Sequence, residues 1–309
     1  MDKIHIAIPA AGAAFKFYAE VTAFSARQGS SMPIEFHFVG MDDFSRVADV
    51  SRFGLYHGSS ITWSRLYLPE MFPDLDWIIS CDADVMFFGD VAELWRLRDD
   101  SVWALPSRDN PMPGIPYNLN AVDWYRRNYF EFEHPEKYFC AGITLFNLKV
   151  MRENGWGKLR DDFLSKVADV NSIPLADQGV LNYLLQDHVR LLPRRWGVFS
   201  GDENADIDWS KSFAVHFVED TPWRRWKTTH LASDLYEMWW GIAEKMSPHM
   251  VYVPDKPYLY RGCRGRIDWF WRRALFVLLK NNQWILRLNH RLWLHFRNTS
   301  GIGNHVLCK

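Results

Sequence analysis

Residues 78–90 read IISCDADVMFFGD. Two carboxylates, Asp82 and Asp84, stand one residue apart between apolar stretches, Ile78 and Ile79 on one side and Val85 to Phe88 on the other. Such flanks belong in a core, and an ionised carboxylate is costly to bury unless something positive meets it. The pair therefore demands either a solvated turn or a cation. On a strand, residues i and i+2 share a face, and at a strand end that spacing lets both carboxylates converge on one ion. Hard oxygen ligands suit Mg²⁺ or Mn²⁺, which often hold diphosphate oxygens as well. A D-x-D triplet is common by chance, so its surroundings have to decide.

The surroundings alternate between two periodicities. Residues 3–9 (KIHIAIP), 34–40 (IEFHFVG), 76–80 (DWIIS), 101–106 (SVWALP), 142–148 (GITLFNL) and 213–218 (FAVHFV) read as strands. Residues 13–27, 62–72 and 175–187 carry helical spacing, and a short helix is expected near 42–50. Strands alternating with helices predict an α/β layered fold with a mostly parallel sheet, Rossmann-like with flanking helices. Ligands in such sheets bind at the carboxyl ends of strands, where Asp82 and Asp84 stand. Residues 108–120, rich in Pro, Gly and Asn, read as a loop.

A chain of 309 residues that is 48% hydrophobic can bury a sizeable core, and a net charge of −1 argues against a nucleic-acid partner. Its four cysteines, Cys81, Cys140, Cys263 and Cys308, are scattered with no C-x-x-C pair, which disfavours both a zinc knuckle and a disulfide framework. The first residues read as a strand rather than a signal peptide, and no apolar run reaches spanning length. A cytoplasmic location is the simplest expectation.

Residues 61–95, ITWSRLYLPEMFPDLDWIISCDADVMFFGDVAELW, closely resemble the retaining glycosyltransferases of family 8, the group of the bacterial lipooligosaccharide galactosyltransferases and glycogenin. Three further stretches match in order: YFCAGITLFNLKVMRENGW (138–156), ADQGVLNYLL (176–185) and VHFVEDTPWRRW (215–226). The resemblance covers roughly residues 3 to 245. It implies a GT-A type fold, a UDP-sugar donor carrying galactose or glucose, a glycan or lipid-linked acceptor, and a Mn²⁺ or Mg²⁺ cofactor. A role in bacterial surface polysaccharide or lipopolysaccharide synthesis follows from the same likeness.

Carried over by position, the resemblance makes Asp82, Asp84 and His216 the metal ligands. By itself, a lone His on an apolar strand reads as a satisfied core histidine. Arg65 is expected at the donor sugar or the carboxylate cluster, and His57 at the diphosphate, although a surface-loop histidine is the plain alternative there. Asp177 and Gln178 are expected to line the donor sugar, with Gln178 near the anomeric carbon. Ala7, Ile8 and Pro9 sit where the family binds the nucleoside. Ala83 between the acids, the Cys140-Ala141-Gly142 block, Trp223 and Arg224 complete the donor site. The family retains configuration, and an amide at position 178 favours front-face attack over a covalent intermediate.

The chain departs from the family in three places: Pro9 where an acid is common, Cys140 where the family has Asn, and Glu219-Asp220-Thr221 where it has Gly-x-x-Lys. Arg224 or Arg225 is then the expected source of charge at the diphosphate. These departures keep open a second reading, a GT-A-fold nucleotide- or carbohydrate-binding protein without efficient transfer. The expected division is a catalytic domain over 1–257 and a separate segment over 258–309. In that segment basic residues such as Arg266, Arg272 and Arg273 interleave with Trp269, Trp271 and Trp284. A basic, aromatic helix suits the anionic inner face of the cytoplasmic membrane; a helix packed on the domain and an oligomer contact are the alternatives.

Overall fold

The computed structural model describes residues 3–56, 58–109, 118–200, 212–218, 221–223 and 233–246. The chain divides into two compact units, one of residues 1–199 with 207–216, the other of residues 200–206 with 217–309. The expected boundary at 257/258 lies outside the described residues.

The first unit is built on a five-stranded sheet: β1 (Ile4–Pro9), β2 (Ile34–Val39), β3 (Trp77–Cys81), β5 (Ala104–Arg108) and β6 (Phe139–Asn147), in the order β2-β1-β3-β6-β5. The ladders β1–β2 and β1–β3 are parallel, and β6 is antiparallel to both β3 and β5. Four strands therefore run one way and β6 alone runs against them, so the expected mostly parallel sheet is present. All five residues of β3 and all nine of β6 are buried, as continuous apolar runs covered on both faces require. A second, three-stranded sheet joins β4 (Val85–Phe87), β8 (Ala214–His216) and β7 (Trp196–Phe199) in the order β4-β8-β7.

Alternation along β1 sends Ile4, Ile6 and Ile8 to one face and Ala7 to the other. The isoleucine face receives α1 (Gly12–Gly29), whose Ala19, Ala23 and Ala26 let the helix approach closely. The opposite face is covered by α6 (Leu148–Glu153), α7 (Trp156–Lys166) and α8 (Asp177–Leu185), with Trp63, Trp156 and Phe163 among the packed side chains.

Local structure departs from the sequence expectation where a backbone group overrides the pattern. Residues 62–72 do not form one helix: a 3₁₀ segment, Ile61–Tyr67, passes into a single α-turn, α3 (Leu68–Met71). The backbone leaves helical geometry at Tyr67 (φ −113°, ψ 12°), and Pro69, which has no amide hydrogen to donate, falls in the first turn of α3, where none is needed. The strand expected at 101–106 begins later, at Ala104, because Asp99 accepts from the Ser101 amide and hydroxyl and holds a turn. Of the loop expected at 108–120, residues 110–117 lie outside the described residues. Asn118 instead caps α5 (Leu119–Arg127), accepting from the Ala121 amide.

Described residues of the second unit include α9 (Ser233–Met246), which buries Leu235, Trp239, Ile242 and Ala243 at helical spacing. No helix among the described residues is long and apolar enough to cross a membrane.

Candidate active site

The D-x-D triplet occupies the passage from the large sheet to the small one. β3 ends at Cys81, and the Asp82 amide donates to the Gly142 carbonyl at 2.9 Å, extending the β3–β6 ladder by one rung. The chain turns through Ala83 and Asp84 and leaves as β4, which pairs antiparallel with β8 so that Val85 stands opposite His216. Two ladders thus carry His216 to the acids. His216 Nε2 lies 3.2 Å from Asp84 Oδ1 and 3.5 Å from Asp82 Oδ2. One ligand atom from each residue falls within 4.8 Å of the others. Ligands about 2.1 Å from a common ion stand at this kind of separation, so the cradle fits a divalent cation.

The other side of the imidazole is packed. Cys140 Sγ lies 3.6 Å from Nδ1 and accepts from the Gly142 amide at 3.4 Å. Phe199 meets the ring edge-on at 5.8 Å. These contacts fix the ring and leave Nε2 facing the acids, the outer-shell support that a ligating histidine needs. Burial by itself would lower the pKa of His216, but the Asp84 carboxylate and Cys140 outweigh it and hold the imidazole well above its ordinary value.

Arg65 binds the cluster together. It lies in the 3₁₀ segment, buried, and Nε donates to Ser80 Oγ at 3.2 Å. One terminal nitrogen pairs with Asp82 and the other with Asp177. Burial opposes the guanidinium charge, yet Asp177 and then Asp82 overcome it and hold Arg65 cationic. One cation shared between two anions leaves Asp177 under-compensated: burial pushes its carboxyl up to about 6, with Arg65 pulling against that shift and Asp82 adding to it.

Asp177 and Gln178 open α8 from a strained turn. Leu175 and Ala176 have φ of 58° and 53°, conformations that residues with a Cβ rarely adopt and that tend to be kept at functional sites. The turn aims Asp177 inward at Arg65 and lets Gln178 Oε1 accept from the Ala141 amide at 3.0 Å. Asn182, one turn on, exchanges hydrogen bonds with both the amide and the carbonyl of Phe139. Two side-chain amides at i and i+4 thereby clamp α8 to the start of β6. The i to i+4 spacing of Gln178 and Asn182 is visible in the sequence, but nothing local marks Asn182 as a clamp.

The other expected residues distribute as follows. Ala7, Ile8 and Pro9 end β1, and Ala7 stands opposite Ser80, the residue that receives Arg65. Ala83 offers its carbonyl to Thr22 of α1. Cys140, Ala141 and Gly142 all touch the cluster, but Cys140 is buried against the His216 ring. Trp223 belongs to the second unit, where its ring tilts toward Trp239 at 6.2 Å. His57 and Arg224, as well as the Glu219-Asp220 step, lie outside the described residues.

Two tyrosines join the neighbourhood without having been singled out. Burial, then the charges of Asp177 and Asp82, push the Tyr56 hydroxyl up to about 12. Tyr138 is buried beside Gln178, and burial raises the pKa of its hydroxyl while the Gln178 side chain pulls the other way. In sequence both look like ordinary core aromatics, and nothing local distinguishes them.

Comparison with known proteins agrees with this geometry. The model of glycosyl transferase family 8 matches residues 54–227, more than half of the chain. The xylosyl- and glucuronyltransferase LARGE2 of Homo sapiens is 29% identical over 147 residues, covering 45% of this chain and 19% of that protein. A probable galacturonosyltransferase 13 of Arabidopsis thaliana is 27% identical over 111 residues, 29% of this chain and 18% of the relative. The chain thus spans about a fifth of the length of these relatives. Among solved structures, the galactosyltransferase LgtC superposes with a TM-score of 0.57 at 20% identity, over 77% of this chain and 95% of its own. The bifunctional glycosyltransferase WbbM gives 0.61 at 18% identity, over 78% and 49%. Both have the GT-A type fold described above. The chain belongs to glycosyl transferase family 8.

Proposed function

We propose that the enzyme transfers a hexose, galactose or glucose, from a UDP-sugar to a hydroxyl of a glycan or lipid-linked acceptor with retention of configuration. The observation that carries this reading is the convergence of Asp82, Asp84 and His216 beside the buried Arg65–Asp177 pair and Gln178. The three ligands are suited to Mn²⁺ or Mg²⁺, and a bound cation would neutralise charge on the departing diphosphate. Arg65 pairs with Asp82 and orients it. On this reading Asp177 and Gln178 lie on the donor-sugar side of the cradle and Ala7–Pro9 on the nucleoside side; the nearness of Asp177 to Arg65 and Asp82 supports the first. The acceptor hydroxyl then attacks the anomeric carbon on the face from which the diphosphate leaves. A phosphate oxygen takes the proton, and Gln178 positions the reacting carbon.

A cytoplasmic enzyme acting at the inner membrane face in surface-glycan synthesis fits the catalytic region, 1–257, followed by the basic, aromatic segment 258–309. The test is a donor screen with UDP-galactose, UDP-glucose, UDP-xylose and UDP-glucuronate, scored by UDP release with and without Mn²⁺. Metal-dependent release with a hexose donor, abolished in Asp84→Asn, is the expected result. Near-normal turnover in that variant, or an inverted product, would overturn the reading. The pentose and uronate arms address the sugars named for LARGE2.

A further inference from the structure

Toward the opposite end of the large sheet a second cluster of ligating groups stands apart from the catalytic one. In the parallel β1–β2 ladder His5 lies opposite Glu35, and His37 follows Glu35 by two residues. The period of the strand therefore puts all three side chains on one face, the face of Ala7. His5 Nδ1 is 3.1 Å from His37 Nε2, and one ligand atom from each of His5, Glu35 and His37 lies within 4.8 Å of the others. Both imidazoles are half-buried and Glu35 is exposed. Phe72 packs against the His37 ring at 4.8 Å and holds it in place. Two ring nitrogens facing each other at this distance share either one proton or one ion.

We propose that His5, Glu35 and His37 form a second metal site that takes Zn²⁺. The donor set separates it from the Asp82 cradle. Two imidazoles and one carboxylate are the ligands of open tetrahedral zinc sites, whereas an oxygen-rich set suits Mg²⁺ and Mn²⁺. A fourth position remains on the solvent side, where Glu35 is exposed. Lys3 Nζ, 3.4 Å from Glu35 Oε2, is the cation that zinc has to displace or tolerate. Ligands drawn from two strands make the ion a cross-link between β1 and the edge strand β2, so zinc would stabilise the folded sheet as any ligand specific to the native state does.

The test uses the full chain carrying Asp84→Asn, stripped with a chelator, so that the catalytic cradle does not compete. ZnCl₂ is titrated against a chromophoric chelator, and CoCl₂ is added separately for its visible spectrum. One equivalent of Zn²⁺, an intense tetrahedral Co²⁺ spectrum and a higher Tm with zinc are expected. Adding His5→Ala with His37→Ala should lower zinc affinity about 100-fold or more and remove the spectrum. Glu35 is exposed, so Glu35→Gln leaves the fold intact; it should weaken binding about tenfold and remove the Tm gain even if the histidine variants misfold. No zinc uptake by the Asp84→Asn protein would overturn the site. So would unchanged affinity in the folded Glu35→Gln variant; the 3.1 Å contact would then be a hydrogen bond between two histidines.

Discussion

The ring of His216 fills the space that any side chain at Gly142 would occupy. A Cβ built on Gly142 falls 2.2 Å from His216 Cε1 and 2.5 Å from Nδ1. Neither β6, buried in the sheet, nor β8, paired on both sides, has room to move away. Gly142→Ala should therefore displace the imidazole from the acids. Metal affinity should fall by about tenfold or more, with an overpacking cost of about 1–3 kcal/mol. Calorimetric titration with Mn²⁺ alongside urea unfolding separates the two effects. Unchanged Mn²⁺ affinity would mean that His216 is not a ligand.

Metal uptake should release a proton. Without an ion, Asp84 and Cys140 hold His216 protonated well above the usual imidazole range, and a ligating His has to be neutral. Raising the pH removes the competing proton, so apparent affinity should rise about tenfold per pH unit while the imidazole remains protonated. Titrations in two buffers of different ionisation enthalpy should report close to one proton released. His216→Asn should report none.

Arg65 is worth more to stability as a counter-charge than its hydrogen bonds alone would indicate. Arg65→Met leaves Asp177 buried without its cation, a loss of about 3–5 kcal/mol. Adding Asp177→Asn removes the orphaned charge and should recover part of that. Equilibrium urea unfolding of the single and double variants checks this, and a double variant no more stable than the single would assign the loss to packing.

Truncation after Pro257 should spare activity on a soluble acceptor and weaken binding to anionic liposomes. Each Lys or Arg near such a surface contributes about 1 kcal/mol, and added salt should screen the interaction. Full-length protein that ignores anionic liposomes at low salt would remove the membrane role from this segment.

The candidate cluster was legible in two ways. Asp82 and Asp84 interrupt an apolar run, a mark visible in the residues themselves, whereas Arg65, Asp177, Gln178 and His216 were placed only by the resemblance to family 8. What stayed hidden depends on pairing across the fold. That β6 runs antiparallel, and so brings Cys140 and Gly142 against His216, follows from no local pattern. The clamp by Asn182 and the approach of Tyr56 and Tyr138 are likewise tertiary facts. The apolar spacing of 62–72 predicts one helix and says nothing of the break that precedes Pro69.

Thr22 gives the site its mechanical character. Its hydroxyl oxygen lies 2.8 Å from both the Ala83 and the Val85 carbonyl oxygens, and Ser25, one turn on, accepts from the Phe87 amide. The helix that follows β1 thus grips the backbone on both sides of Asp84. If the nucleoside seats at Ala7–Pro9, the segment that receives the base and the segment that receives the diphosphate belong to one pre-assembled body. The ordering of that body is settled when the chain folds, so donor binding does not have to supply it. Loosening the grip, as Thr22→Val would, should show as weaker donor affinity with little change in the chemistry of the bound complex.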